Sequence, residues 1–119
     1  MNFHKVKLTL IGIFLLVVGC SKAPETTLGV QPASASNLTV KELATAPKAQ
    51  KVTLHGEMIE KCPVAGCWFI LRDKTGTVRV DTKAAGFVVT EVPLHTTVAV
   101  SGTVTPGAQP GLSATGLSY

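Results

Sequence analysis

The chain has 119 residues, 45% of them hydrophobic and 15% charged, which is enough for one small domain. Its formal net charge of +4 includes Lys5 and Lys7 at the extreme N-terminus; beyond residue 19, 9 basic residues face 7 acidic ones, so no basic surface is available to track a phosphate backbone. Aromatic residues make up only 5%, which leaves few platforms for base stacking, and nucleic acid is excluded as an expected partner.

The N-terminus reads as a targeting segment, residues 1–19. Lys5 and Lys7 supply a positive start, and Leu8 to Val18, LTLIGIFLLVV, is apolar without a charge. A helix that spans a bilayer needs roughly 20 apolar residues, so this run is too short to be a stable span. It ends in Val17-Val18-Gly19-Cys20, with no A-x-A-like site for ordinary secretory cleavage. These four residues resemble the lipobox of bacterial lipoprotein precursors, with Val17 in place of the more usual leucine. The resemblance implies cleavage before Cys20, a diacylglycerol on its thiol and a further acyl chain, a set that anchors stably where a single chain would not. Ser21 resembles the sorting pattern for an outer membrane. The expected location is the cell envelope, on the periplasmic face of the outer membrane where the cell has one, with the membrane as a partner through the lipid.

Residues 20–37 combine the lipidated cysteine with SKAPETTLGVQPASASN, a Ser/Thr/Ala/Pro/Gly-rich stretch expected to be a flexible tether; a strand around Leu28-Gly29-Val30 is the weaker alternative. The folded domain is expected over 38–119. Thr39-Val40-Lys41-Glu42 matches a capping box, and Val40, Leu43 and Ala44 give a short helical face that Pro47 stops. From Lys51 the hydrophobic period drops to two: Val52, Leu54, Gly56 and Met58 alternate with Thr53, His55 and Glu57, a half-buried strand in which Gly56 suits a bend or bulge. A second strand, CWFILR over 67–72, meets a third, TVRVD over 77–81, across the turn Asp73-Lys74-Thr75-Gly76. Lys83 to Leu94 breaks the alternation and is either helix or loop. A fourth strand runs through Val98, Val100, Gly102 and Val104, and after the Pro/Gly turn at 106–111 a fifth covers 112–119. Three meandering strands, an irregular crossover and a two-strand hairpin predict an all-β fold, a five-stranded barrel of the OB type, with a small β-sandwich as the second choice.

The words VTLHGEM, CPVAGCWFILRD, TGTVRVDTKAAGF and TVAVSGTV carry two resemblances, which span Val40 to about Val104. The V-x-L-x-G opening and the F-x-L-x-D-x-x-G-x-x-x-V hairpin are similar to the bacterial OB-fold family of small exported stress-associated proteins. Cys62, Gly66, Cys67 and Trp68 resemble, position by position, an exported domain family of unknown function marked by C-x-x-x-G-C-W. Both imply the barrel, and neither implies a defined activity.

Three cysteines leave an odd one, but lipid on Cys20 would leave Cys62 and Cys67 as a pair at the mouth of the first hairpin. The first expectation is a structural disulfide; closing so short a loop would stabilise by roughly 2 kcal/mol. The alternative is a pair of functional thiols, for redox exchange or a soft metal, with His95 as a conditional third ligand. Of the adjacent aromatics, Trp68 is expected in the core and Phe69 outward or beneath the N-terminal helix, and whichever is exposed is a candidate ligand surface. His55 is expected on a solvated strand face, and Arg79 and Asp81 in a surface charge pair beside Arg72. With no nucleophile–base pair, paired carboxylates or phosphate loop, the chain is not expected to be an enzyme or to need a cofactor. The expected function is that of a lipid-anchored, non-catalytic module that binds an envelope protein or a small ligand; the alternative is a periplasmic metal or thiol protein using Cys62 and Cys67.

Overall fold

The computed structural model describes residues 25–32, 34–105 and 107–119. The targeting segment and Cys20 lie outside them. Strands β1 (Thr27–Gly29) and β2 (Ser36–Asn37) precede a 3-10 helix (Lys41–Thr45); β3 (Lys51–Lys61), β4 (Trp68–Asp73), β5 (Gly76–Asp81), β6 (Thr97–Thr105) and β7 (Gly111–Ser118) follow.

Five of these strands close on themselves. β3 pairs β4, β4 pairs β5, β5 pairs β7 in parallel, β7 pairs β6, and β6 returns to β3. This is the expected OB barrel. Strand β3 serves two neighbours, β6 along Lys51–Glu57 and β4 along Glu57–Lys61. The irregularity falls between Met58 and Glu60 rather than at Gly56. Gly56 has a different role: a Cβ there would lie 2.5 Å from the carbonyl oxygen of Arg72, so the handover between neighbours needs a residue without a side chain.

The alternation read from the sequence becomes the core. Val52, Leu54 and Met58 of β3, Phe69 and Leu71 of β4, Val78 and Val80 of β5, and Val98, Val100, Leu112 and Leu117 of the last hairpin are all buried. Leu43 enters from the 3-10 helix and Val89 and Val92 from the crossover between β5 and β6, which is a series of turns without a helix.

The capping box forms: the Thr39 N–H donates to the Glu42 carboxylate (3.0 Å) while the Glu42 N–H donates to the Thr39 hydroxyl (3.4 Å). The helix it starts is a short 3-10 turn rather than two α-turns, because Pro47 lies only two residues beyond Thr45.

The expected tether is partly sheet. β1 runs antiparallel to β7, with Thr27 opposite Ser118 and Gly29 opposite Gly116. The N–H groups of Thr26 and Tyr119 extend the ladder, each to the other's carbonyl (2.9 and 3.0 Å). A Cβ on Gly29 would collide with the Thr115 carbonyl and Phe87, and one on Gly116 with the Val30 carbonyl, so this contact depends on two glycines far apart in the chain. β2 adds a parallel rung to β3.

Candidate binding face and cysteine loop

Strand pairing decides which residues of β4 point outward. Phe69 sits opposite Val80 and Leu71 opposite Val78, while Trp68 sits opposite Asp81, Ile70 opposite Arg79 and Arg72 opposite Thr77. Val78 and Val80 belong inside, so their partners do too. Phe69 is fully buried, and Trp68 is half-buried on the outer face, which reverses the sequence expectation for both residues. Arg79 lies over the Trp68 ring, 4.8 Å from its centroid, a contact worth about 0.5–1 kcal/mol at an accessible site.

The expected Arg79–Asp81 charge pair beside Arg72 does not form. Arg79 is taken by Trp68, Arg72 reaches Glu57 (3.5 Å), and Asp81 accepts the N–H of Lys83 (2.8 Å). His55 is exposed as expected, its ring 3.3 Å from the Asn37 side-chain oxygen.

Beside the Trp68–Arg79 pair runs a groove of about 780 Å³, floored by Ile70, Thr77, Arg79 and Asp81 and walled by Gln109 of the β6–β7 connection and Leu112 of β7. It holds one cation, one anion, hydroxyls and an amide beside apolar surface. Its size falls within the range of small-ligand sites. Thr77 and Gln109 were not singled out by sequence reading, and Arg79 was expected only in a surface charge pair. The signal was present: the turn at Asp73–Gly76 fixes the hairpin register, and the alternation of TVRVD then assigns every outward residue of β4 as well as β5.

At the far end of β4 lies the cysteine loop. The Cys62 N–H donates to the Trp68 carbonyl (3.0 Å), continuing the β3–β4 register by one pair. The loop's other end is pinned by Val89 N–H to the Gly66 carbonyl (2.9 Å) and Thr82 N–H to the Cys67 carbonyl (2.9 Å). Gly66 takes φ +60°, and a Cβ there would lie 2.7 Å from the Thr90 methyl. Cys62 and Cys67 are both half-buried free thiols, so the expected disulfide is not formed in this structure. The backbone N–H groups of Ala65 and Val64, and less strongly those of Gly66 and Cys67, favour the charged form of the Cys62 thiol by hydrogen bonding. Against a smaller opposing effect of desolvation, they lower its pKa from 9.0 to about 7.

His95 is not part of this loop. Its N–H donates to the Met58 carbonyl (2.7 Å), it adopts φ +68°, and its Nδ1 lies 2.7 Å from the Glu57 carboxylate. That hydrogen bond, with help from Arg72 and against partial desolvation, holds the Glu57 carboxyl below its usual 4.5. Among the described residues no group of three or more His, Cys, Asp or Glu side chains is placed to hold a metal ion, and His95 as a third ligand beside the cysteines is not supported. Among them, too, no helix is long and apolar enough to cross a membrane.

The sequence profile of the Bacterial OB fold (BOF) proteins matches residues 18–110. The chain belongs to that family. Among solved structures, the BOF barrel described here is similar to the hypothetical protein ygiW from E. coli, with 21% identity and a TM-score of 0.53 over 71% of this chain and 94% of that one. It is also similar to the Stn1–Ten1 complex of S. pombe (14%, TM-score 0.56, covering 68% and 71% of the two chains). A third likeness is to the telomere capping protein Ten1 from the same yeast (17%, TM-score 0.50, covering 68% and 76%). At these identities the likeness is one of fold. No curated protein matches this BOF chain by sequence.

Proposed function

We propose that this BOF protein is a lipid-anchored, non-catalytic binding module of the cell envelope, with its ligand surface on the outer face of β4 and β5. The observation that carries this reading is the Trp68–Arg79 pair, whose arginine lines the groove. Accessible Trp and Arg side chains are the residue types that most often dominate binding energy, and the outer face of the second and third barrel strands is where OB folds receive ligands. The face carries Arg72 and Arg79 with Glu57 and Asp81, so it suits a segment of an envelope protein or a small polar ligand better than a polyphosphate. Anchoring rests on the lipobox-like end at Cys20.

The test places a photo-crosslinking residue at Thr77 in the groove and, as a control, at His55 on another exposed strand face, in the full-length protein expressed in its own cells. A discrete adduct from position 77, absent from position 55 and lost when Trp68→Ala and Arg79→Ala are added, is the expected result. Equal labelling at both positions, or labelling indifferent to the two substitutions, overturns the binding face. Labelled palmitate incorporated into the wild type and not into Cys20→Ser checks the anchor.

A further inference from the structure

We propose that Cys62 and Cys67 are a thiol–disulfide exchange pair, in which Cys62 attacks an exogenous low-molecular-mass disulfide and Cys67 resolves the adduct. Three observations carry it. The loop is closed by backbone hydrogen bonds at both ends, from Cys62 to Trp68, from Val89 to Gly66 and from Thr82 to Cys67, so its shape does not depend on a sulfur–sulfur bond. Its middle, Pro63 to Ala65, is exposed, with Val64 at 89% of its full accessibility, which leaves an approach for an attacking or leaving sulfur. The two thiols are both free and half-buried at the two ends of that one loop, Cys62 opposite Trp68 and Cys67 after the left-handed Gly66, and the loop's N–H groups favour the thiolate on Cys62.

The chemistry balances. The Cys62 thiolate attacks one sulfur of the exogenous disulfide; that S–S bond breaks, a mixed disulfide forms on Cys62, and the departing thiolate takes a proton from water. Cys67 then gives its proton to water and attacks the Cys62 sulfur, releasing the second exogenous thiol. Two protein thiols are oxidised to one disulfide while one exogenous disulfide is reduced to two thiols. An exogenous dithiol runs the sequence backwards. The charged groups on the elements around the loop are Glu60 and Lys61 of β3, Arg79 and Asp81 of β5, and Lys83 and Glu91 of the crossover. The Lys61 ammonium donates to the Thr90 (2.9 Å) and Val92 (2.6 Å) carbonyls and Arg79 lies over Trp68, so the loop amides remain the main support for negative charge on the sulfur.

A thiol that is about half ionised at pH 7 gains roughly 50-fold in thiolate over an ordinary one and loses roughly tenfold in intrinsic nucleophilicity, a net acceleration of roughly fivefold. The exchange stands apart from ligand binding and is tested without a ligand. The full chain carrying Cys20→Ser, in mild detergent, is reduced and challenged with oxidised glutathione; the Cys67→Ser and Cys62→Ser versions are run beside it. We expect a mass two protons lower in the parent, a stable glutathione adduct on Cys62 when Cys67 is absent, and formation of that adduct roughly fivefold faster in the folded chain than in the same chain unfolded in urea at pH 7. A disulfide already present after purification that excess reduced glutathione does not open makes the pair a static staple and overturns the proposal. So does an adduct that forms no faster in the folded chain, or faster on Cys67 in the Cys62→Ser chain. Far-UV circular dichroism of each variant confirms that the barrel is intact when the rates are read.

Discussion

The two ends of β4 are built on one device with different anions. At the Asp73 end, the carboxylate accepts the N–H of Thr75 two residues on (2.7 Å) and of Gly76 three residues on (3.1 Å), together with the Thr75 hydroxyl (2.6 Å). At the Cys62 end, the N–H groups of Val64 and Ala65, also two and three residues on, favour the charged form of a thiol. Both are side-chain caps on a turn, the arrangement in which Asp and Asn usually appear. Asp73 has an additional partner, the Val40 N–H (2.8 Å), which ties the turn to the 3-10 helix. A carboxylate is charged throughout the physiological range, so that cap is permanent. A thiol placed in the same way is charged only above about pH 7 and stays reactive. On the exchange proposed above, one turn is structural and the other chemical, for a reason that lies in the capping atom.

The largest effect belongs to the strand that joins the two ends. Phe69 is fully buried opposite Val80, so Phe69→Ala should cost about 3–5 kcal/mol in urea unfolding. Trp68→Ala, one residue away on the outer face, should cost less than half of that. Equal losses would mean that the faces of β4 are misassigned and that Trp68 is not on the outer face beside Arg79. Next comes the carboxylate cap. Partial burial pushes the Asp73 carboxyl up, but the Thr75 hydroxyl and the N–H groups of Val40, Thr75 and Gly76 outweigh it and hold it below 3.8. Asp73→Ala should cost about 1–3 kcal/mol near neutral pH. Because the folded pKa is depressed, the ionised cap contributes fully above the ordinary 3.8 and is lost as pH falls through the lower folded value. The gap between wild type and Asp73→Asn in a urea titration should therefore be flat from pH 5 to 8 and narrow towards pH 2; a gap that grew on acidification would remove the carboxylate from the account.

Much of the barrel was legible in the chain because alternation is unambiguous where polar and apolar residues take turns, as in β3 (Val52, Leu54, Met58) and β5 (Val78, Val80). It failed on β4, where Trp68 and Ile70 on one phase and Phe69 and Leu71 on the other are all apolar; only the partner strand assigns the faces. β1 escaped notice as a firm strand because three residues carry no period. Its place on β7 depends on Gly29 and Gly116, a pairing that no local window contains. The cysteine pair was legible as a pair, but not its state. Sequence spacing allows a disulfide, while in the structure both thiols are free and the loop's N–H groups favour a thiolate on Cys62.

The smallest expected effect separates the two caps most sharply. The folded Cys62 has a pKa of about 7 against an ordinary 9.0, so for the reduced protein its thiolate adds stability that is complete above about pH 9 and disappears as pH falls through 7. Thermal unfolding of the reduced Cys20→Ser chain, compared with the same chain carrying Cys62→Ser, should show a difference in midpoint that grows from pH 6 to 9. Serine can cap the same turn through its hydroxyl but does not ionise, so its own midpoint should lack that rise. The Asp73→Asn comparison should be flat over the same interval, since a carboxylate has finished titrating there. If the Cys62 difference were flat as well, the sulfur would be a neutral cap and the two ends of β4 would be alike. If it rises only after Cys67→Ser is introduced, the two thiols share the amides, and the reactive site is the pair rather than Cys62.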